Sequence, residues 1–264
     1  MILVLSIILL LLCLLVGGSR GFKAFIVFFV DILFCLLNIF LIGSGFPIII
    51  TTFILCIILA YIILYFVNEY NKKTVASFIS TVVILIILMF IVYIFISLSH
   101  VQGFGVEYIE EIGWCSYSID LNLVYATISS VIIGLIGSIV DTSTAISTAV
   151  YEVYDKNSHL TIQELLKSGH TIGKDVIATV TNTLLFAFLG GFLTLMIWFS
   201  YFDYTILQVI NNKVFVLQFL SIMFNALGSL LIIPITNLIT CFLLTKNNNL
   251  FVKKLEDRIE SRKY

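Results

Sequence analysis

Apolar residues run through this chain in long unbroken blocks, and polar residues collect in short segments between them. A helix that crosses the roughly 30 Å hydrocarbon core of a bilayer needs about 20 apolar residues. Seven blocks qualify, the first marginally: Ile2–Val16, Ala24–Ile42, Ile48–Val67, Val75–Leu98, Leu121–Val150, Val176–Phe199 and Val214–Leu244. Continuous hydrophobicity, as opposed to alternation along short segments, selects helices over a membrane β-barrel. The pattern predicts an all-α, polytopic transmembrane helical bundle of about seven spans, forming a single membrane domain over residues 1–264 with a short tail at 246–264. Pro234 is expected to kink the last span, and Gly43-Ser44-Gly45 to form a tight turn.

The first block, Ile2–Val16, has two readings. It is a span or a signal sequence; the absence of a basic segment before it, with Arg20 and Lys23 after it, favours the span.

Charge sets the orientation. Excess Lys and Arg marks the cytoplasmic side of a membrane protein. With strict alternation of seven spans, all but Lys213 of the 14 basic residues fall on one side. The segment from Ser99 to Ser118, with Asp120 just beyond it, carries acidic residues and no basic one. The expected topology is N-out and C-in. Reporter fusions after Glu69, His159 and Lys254 are expected to read cytoplasmic, and fusions after Glu110 and Asn211 external. An external reading at His159 would reverse the orientation.

Composition agrees with this class. Of 264 residues, 61% are hydrophobic and 11% charged, whereas soluble domains carry roughly 25% charged residues. A net charge of -1 gives no reason to expect a nucleic-acid partner. The soluble parts are small: a cytoplasmic connection from Glu152 to Asp175, an outer one from Ser99 to Ser118, and the tail. In the tail, Lys253, Lys254, Arg258 and Arg262 recur at helical spacing beside Leu255 and Ile259. It either lies on the inner membrane surface or is a solvated segment that enforces topology.

Several chemistries lack their parts. The chain has no GxxxxGK[ST] loop, HExxH, GxSxG or CxxC, and its five cysteines show no metal or redox spacing. No enzymatic activity, cofactor or metal is therefore expected.

The informative region is Ser130–Gly191. At offsets of three and four, Ser130, Gly134, Gly137, Ser138, Asp141, Thr144, Ala145 and Thr148 share one helix face, and every one is small or polar. Such faces let helices approach closely in membranes, which predicts packing through Gly134, Gly137, Ser138, Thr144 and Thr148. An acid at mid-span costs about 2.5–3.5 kcal/mol on insertion scales, and such residues usually carry function. Asp141 is the leading candidate for a proton carrier; the alternative is a protonated acid that only hydrogen-bonds to a neighbouring helix. Asp175, Thr179, Asn182 and Thr183 lie on or near one face of the next span, followed by Gly190 and Gly191. That face is expected to pack against the Asp141 face, as helix glue or as part of a pathway. Asp31 and Asn38, seven residues apart, share a face of the second span. Asn225 and Asn237 flank Pro234, where freed backbone groups need partners. No Lys or Arg lies inside a span, so Asp141 has no basic partner in the chain.

Gly134–Asp141, Ser147–Glu152, Glu164–Asp175 and Thr179–Gly190 together resemble the YibE/F-like family of bacterial multi-pass membrane proteins. The resemblance implies a bacterial cell membrane location. It does not itself imply an activity. The family has versions with and without an extra extracytoplasmic domain, and this chain resembles the version without it, which implies a companion membrane protein bearing the domain. A homo-oligomer is the alternative partner, besides the lipid bilayer itself. A more distant similarity, in layout only, is to the membrane core of resistance-nodulation-division and SecD/SecF-type proteins, whose mid-span acid couples proton flow to work. From these features the expected function is a proton-linked transport or export subunit; the alternative is a non-transporting subunit or scaffold.

Overall fold

The computed structural model describes residues 2–68, 70–99, 101, 122–157 and 160–245. Those residues form helices and no strand. In chain order they are α1 (Ile2–Gly43), α2 (Ile48–Ile62, continued by a π-helical turn at Ile63–Val67), α3 (Lys72–Ser99), α4 (Leu123–Lys156), α5 (Ile162–Tyr201), the short α6 (Ile206–Ile210) and α7 (Lys213–Thr245). The expected outer connection and the C-terminal tail lie outside the described residues.

Among the described residues six helices are long and apolar enough to span a membrane, not seven, with α1 counted as one although two helices meet in it at a kink. The difference falls on the first two blocks, which α1 joins. Residues 17–23 hold no proline, and Arg20 and Lys23 continue in helical conformation. The exception is Gly18, at φ 55° and ψ −132°, a conformation that breaks the helix there. The segment before Gly18 is about 24 Å long and the one after it about 37 Å, so only the second clears a bilayer core alone. At the far end of α1, Gly45 at φ 86° closes the expected turn, and Phe46 N donates to Leu41 O.

The expected polar connection from Glu152 to Asp175 is mostly helix. α4 continues to Lys156, and α5 opens at Ile162 behind a capping box in which Thr161 and Glu164 bond each other's backbone. The first turns of α5 are held by packing against α7. Leu165 is fully buried, and Gly169 and Gly173 bring the α5 backbone against Asn237 and Ile233.

The core is the junction of α3, α4 and α7, filled by Ile84, Leu88, Ile132, Ile139, Ile146 and Ile232. Gly228 on α7 faces Leu88 and Ile139, which sets these three helices at one level. α5 packs on α7 and α4, α2 on α4, and α1 on α2. Pro234 sits inside α7 without interrupting it. Asn225 and Asn237, which flank Pro234, bridge to other helices: Asn225 accepts from Ser138 on α4 (3.2 Å), and Asn237 donates to Leu166 O on α5 (2.9 Å).

Candidate functional site around Asp141

α4 begins where the Asn122 side chain accepts from the backbone N–H groups of Val124 and Tyr125. Its interior combines two faces of different kind. The bulky face, with Ile132, Ile136, Ile139, Val140 and Ile146, is buried against α3 and α7. Hydroxyls along its edge stitch the contact: Ser77 and Ser147 Oγ are 2.6 Å apart, and Thr81 Oγ1 lies 3.2 Å from Ser143 Oγ.

The small face is open. Ser130, Gly134, Gly137, Asp141 and Ala145 are exposed, and Ser138, Thr144 and Thr148 half-buried. A Cβ placed on Gly137 would meet nothing within 4 Å, and one on Gly134 only the Asn225 amide. The expected close packing of this face is thus not made within the single chain; the helix packs through its larger side chains instead. Sequence reasoning chose the small face because membrane interfaces favour small residues. Here the α4 isoleucines interdigitate with α3 and α7, and Gly228, not an α4 glycine, supplies the close approach.

Asp141 lies about midway along α4, about 27 Å from its start and 23 Å from its end. It makes no hydrogen bond among the described residues. Asp31, the acid in the second half of α1, is half-buried. One oxygen of Asp31, Oδ1, is buried and has no hydrogen-bond partner.

Two helical turns beyond Asp31 on α1 the structure builds a polar group of which the sequence shows only half. Asn38 Nδ2 donates to Thr52 Oγ1 (3.2 Å), Ser129 Oγ donates to Asn38 Oδ1 (3.3 Å), and Thr52 and Ser129 hydroxyls are 2.6 Å apart. All three are buried. This triad ties α1, α2 and α4 together. Asn38 was noted from its spacing to Asp31; Thr52 and Ser129 were missed. The available signal was a hydroxyl amid an otherwise apolar block.

The second expected polar face does not meet the first. On α5, Asp175, Thr179, Asn182, Thr183, Gly190 and Gly191 are all exposed. Thr179 and Thr183 return their hydroxyls to the backbone of Asp175 and Thr179 (3.0 Å each). Nothing approaches a Cβ on Gly190 or Gly191 within 4 Å. α5 meets α4 at Gly173, beside Ile146, and at its far end it joins an aromatic cluster of Phe192, Phe199 and Phe215 with α7.

What this arrangement can do is bounded by its chemistry. It offers the carboxylates of Asp31 and Asp141 on two spanning helices, buried amide and hydroxyl groups joining α1, α2 and α4, and open small faces on α4 and α5. The family model described as YibE/F-like protein matches residues 5–246 of the chain. No curated protein and no solved structure matches it.

Proposed function

The chain belongs to the YibE/F-like family, and from that premise and the setting of Asp141 we propose that this multi-pass membrane protein is a proton-linked transport or export subunit of a bacterial cell membrane. The observation that carries the reading is Asp141 itself: an acid midway along a spanning helix that makes no hydrogen bond and no ion pair among the described residues. In hydrocarbon such a group is stable only when neutral or hydrated. It gains a proton from one side and releases it when water or a charge reaches it from the other, so its two states are separated by access. The α5 strip of Asp175, Thr179, Asn182 and Thr183 is the second polar surface that a pathway or partner would use. The layout shares a mid-span acid with resistance-nodulation-division and SecD/SecF-type proteins; an analogy of layout supports the reading and does not establish it. The deciding experiment is the Asp141→Asn substitution, scored by complementation of a deletion strain.

A specific observation favours a second reading, a non-transporting subunit or scaffold. The small faces of α4 and α5 lie open in the single chain, as surfaces do before a partner helix docks. The partner would be a companion of the same family bearing an extracytoplasmic domain, or another copy of this chain. Because nothing touches Gly137, Gly137→Leu is expected to leave thermal unfolding of the isolated chain within about 0.5 kcal/mol of the parent. The same substitution should abolish co-purification with the partner if the face is a docking surface. Unchanged co-purification would remove the scaffold reading's support.

A further inference from the structure

The connection between α5 and α7, residues 202–212, is a held turn with an apolar outer face. Tyr204 stacks on Phe199 with ring centroids 5.5 Å apart, and its backbone N–H donates to Phe199 O (3.0 Å). α6 opens behind a second capping box, in which the Thr205 N–H and hydroxyl bond Gln208 Oε1 at 2.8 and 2.9 Å. Val209 packs under α6 against the cluster of Leu195, Phe199 and Val214. At about 100° per residue, Ile206, Ile210 and Leu207 share one arc of α6, with Gln208 and Asn211 on the other side. Those three are 81%, 53% and 71% exposed.

Three observations say what covers this face. Tyr204–Asn212 carries no charged residue, and four of its nine residues are Ile, Leu or Val; the charges stand at its two ends, on Asp203 and Lys213, both exposed. Immediately before it Trp198, Tyr201 and Phe202 are in mutual ring contact, and Trp and Tyr gather where hydrocarbon meets headgroups. The depth agrees. From Val176 to Tyr201, α5 runs about 39 Å without a charge, so its last turn reaches the edge of a roughly 30 Å hydrocarbon core. Leu193, Ile197 and Tyr201, one stripe of α5, are also exposed, so the lipid-facing surface of α5 runs on to the level of α6.

We propose that α6 is an interfacial anchor, lying in the plane of the membrane surface with Ile206, Leu207 and Ile210 among the upper acyl chains. Its partner is the phospholipid bilayer, into which such a helix sinks by about 5–10 Å. Gln208 and Asn211 face the headgroups and water. The anchor fixes α5 at its second end. Between Gly173 and Leu195 no residue of α5 is buried, so the depth of the Thr179, Asn182 and Thr183 strip is set by docking on α7 at Gly169 and by α6 at the membrane surface. The inference does not depend on the carrier reading of Asp141.

The test is tryptophan quenching in the full-length chain, reconstituted in vesicles of phosphatidylethanolamine and phosphatidylglycerol. Trp114→Phe and Trp198→Phe clear the background, and Leu207→Trp is the probe. Ile206→Trp is a second probe on the same face, and because both positions are exposed neither displaces a packed side chain. Lipids brominated just below the headgroup are expected to quench each probe at least about twofold more than lipids brominated near the chain ends, the depth of an interfacial helix. Aqueous iodide should quench either probe about threefold less than Asn211→Trp on the polar side. Strong iodide quenching with no effect of brominated lipid would place the face in water and overturn the proposal. Quenching by neither would mean that protein covers the face, a second copy or another chain, and overturns it too. Stronger quenching by the chain-end bromines would put α6 in the hydrocarbon core and contradicts it equally.

Discussion

Gly169→Leu is expected to undock the first half of α5 from α7. A Cβ at this position would overlap the Asn237 carboxamide, whose Oδ1, Cγ and Nδ2 are its three nearest atoms. The amide has little freedom to retreat. It is 5% exposed, donates to Leu166 O and accepts from the Cys241 thiol (3.4 Å). Forcing a side chain in costs about 1–3 kcal/mol from overpacking. A displaced Asn237 leaves buried polar groups unpaired, for about 1–3 kcal/mol more. The sum is a large share of the stability of any domain, so thermal unfolding in detergent should drop by many degrees or the chain should fail to accumulate. Gly190→Leu, on the same helix with nothing near it, is the control and should behave like the parent. Pairing Gly169→Ala with Asn237→Ser, which removes the overlap, should recover more stability than the single changes add up to. A Gly169→Leu chain as stable as the parent would mean that α5 does not dock on α7 as described.

The fate of the two glycine groups shows what was legible in the sequence and what was not. Block lengths gave the helices well. Ile48–Val67 coincides with α2 and its π-helical continuation, and Val214–Leu244 differs from α7 by one residue at each end. Length and hydropathy suffice there because lipid imposes them on each span separately. Which face of a span meets its neighbour is a different question. Lipid tails are as apolar as isoleucine, so hydropathy does not distinguish a buried Ile139 from an exposed Ile197, and both stand in apolar blocks. The sequence therefore favoured Gly134 and Gly137 as contact residues, while the contacts formed at Gly169, Gly173 and Gly228, where only the facing helix reveals the fit.

The first block and the first turns of α5 illustrate a second limit. Arg20 and Lys23 read as a loop between spans, and Glu152–Asp175 as a polar connection. Both segments are chiefly helical, because charge marks where a chain leaves the membrane and not where its helix ends. The candidate site was legible in part for the same reason. Asp141 stood out as the acid in the middle of a span. That its face stays open in the chain depends on how the other helices pack, and no single block carries a trace of that. The Asn38–Thr52–Ser129 triad is likewise a product of three helices meeting, though each member is a polar residue that an apolar block must find a partner for.

The most direct measurement of the central claim is the activity of Asp141→Asn. A proton carrier must change charge in each cycle, and asparagine keeps the shape and the hydrogen-bonding capacity of the neutral acid without that ability. The variant is therefore expected to insert, assemble and unfold like the parent, since Asp141 makes no hydrogen bond for the amide to disturb. It should nevertheless fail to complement a deletion strain, as completely as the empty vector fails. Asp141→Glu, which restores a titratable carboxyl on the same open face, should recover part of the phenotype. Level membrane abundance of the parent and both variants is checked first, so that the phenotype reports chemistry and not folding. An inactive Asn variant beside a partly active Glu variant is the result the account predicts; an Asn variant that complements fully would contradict it and leave the scaffold reading in its place.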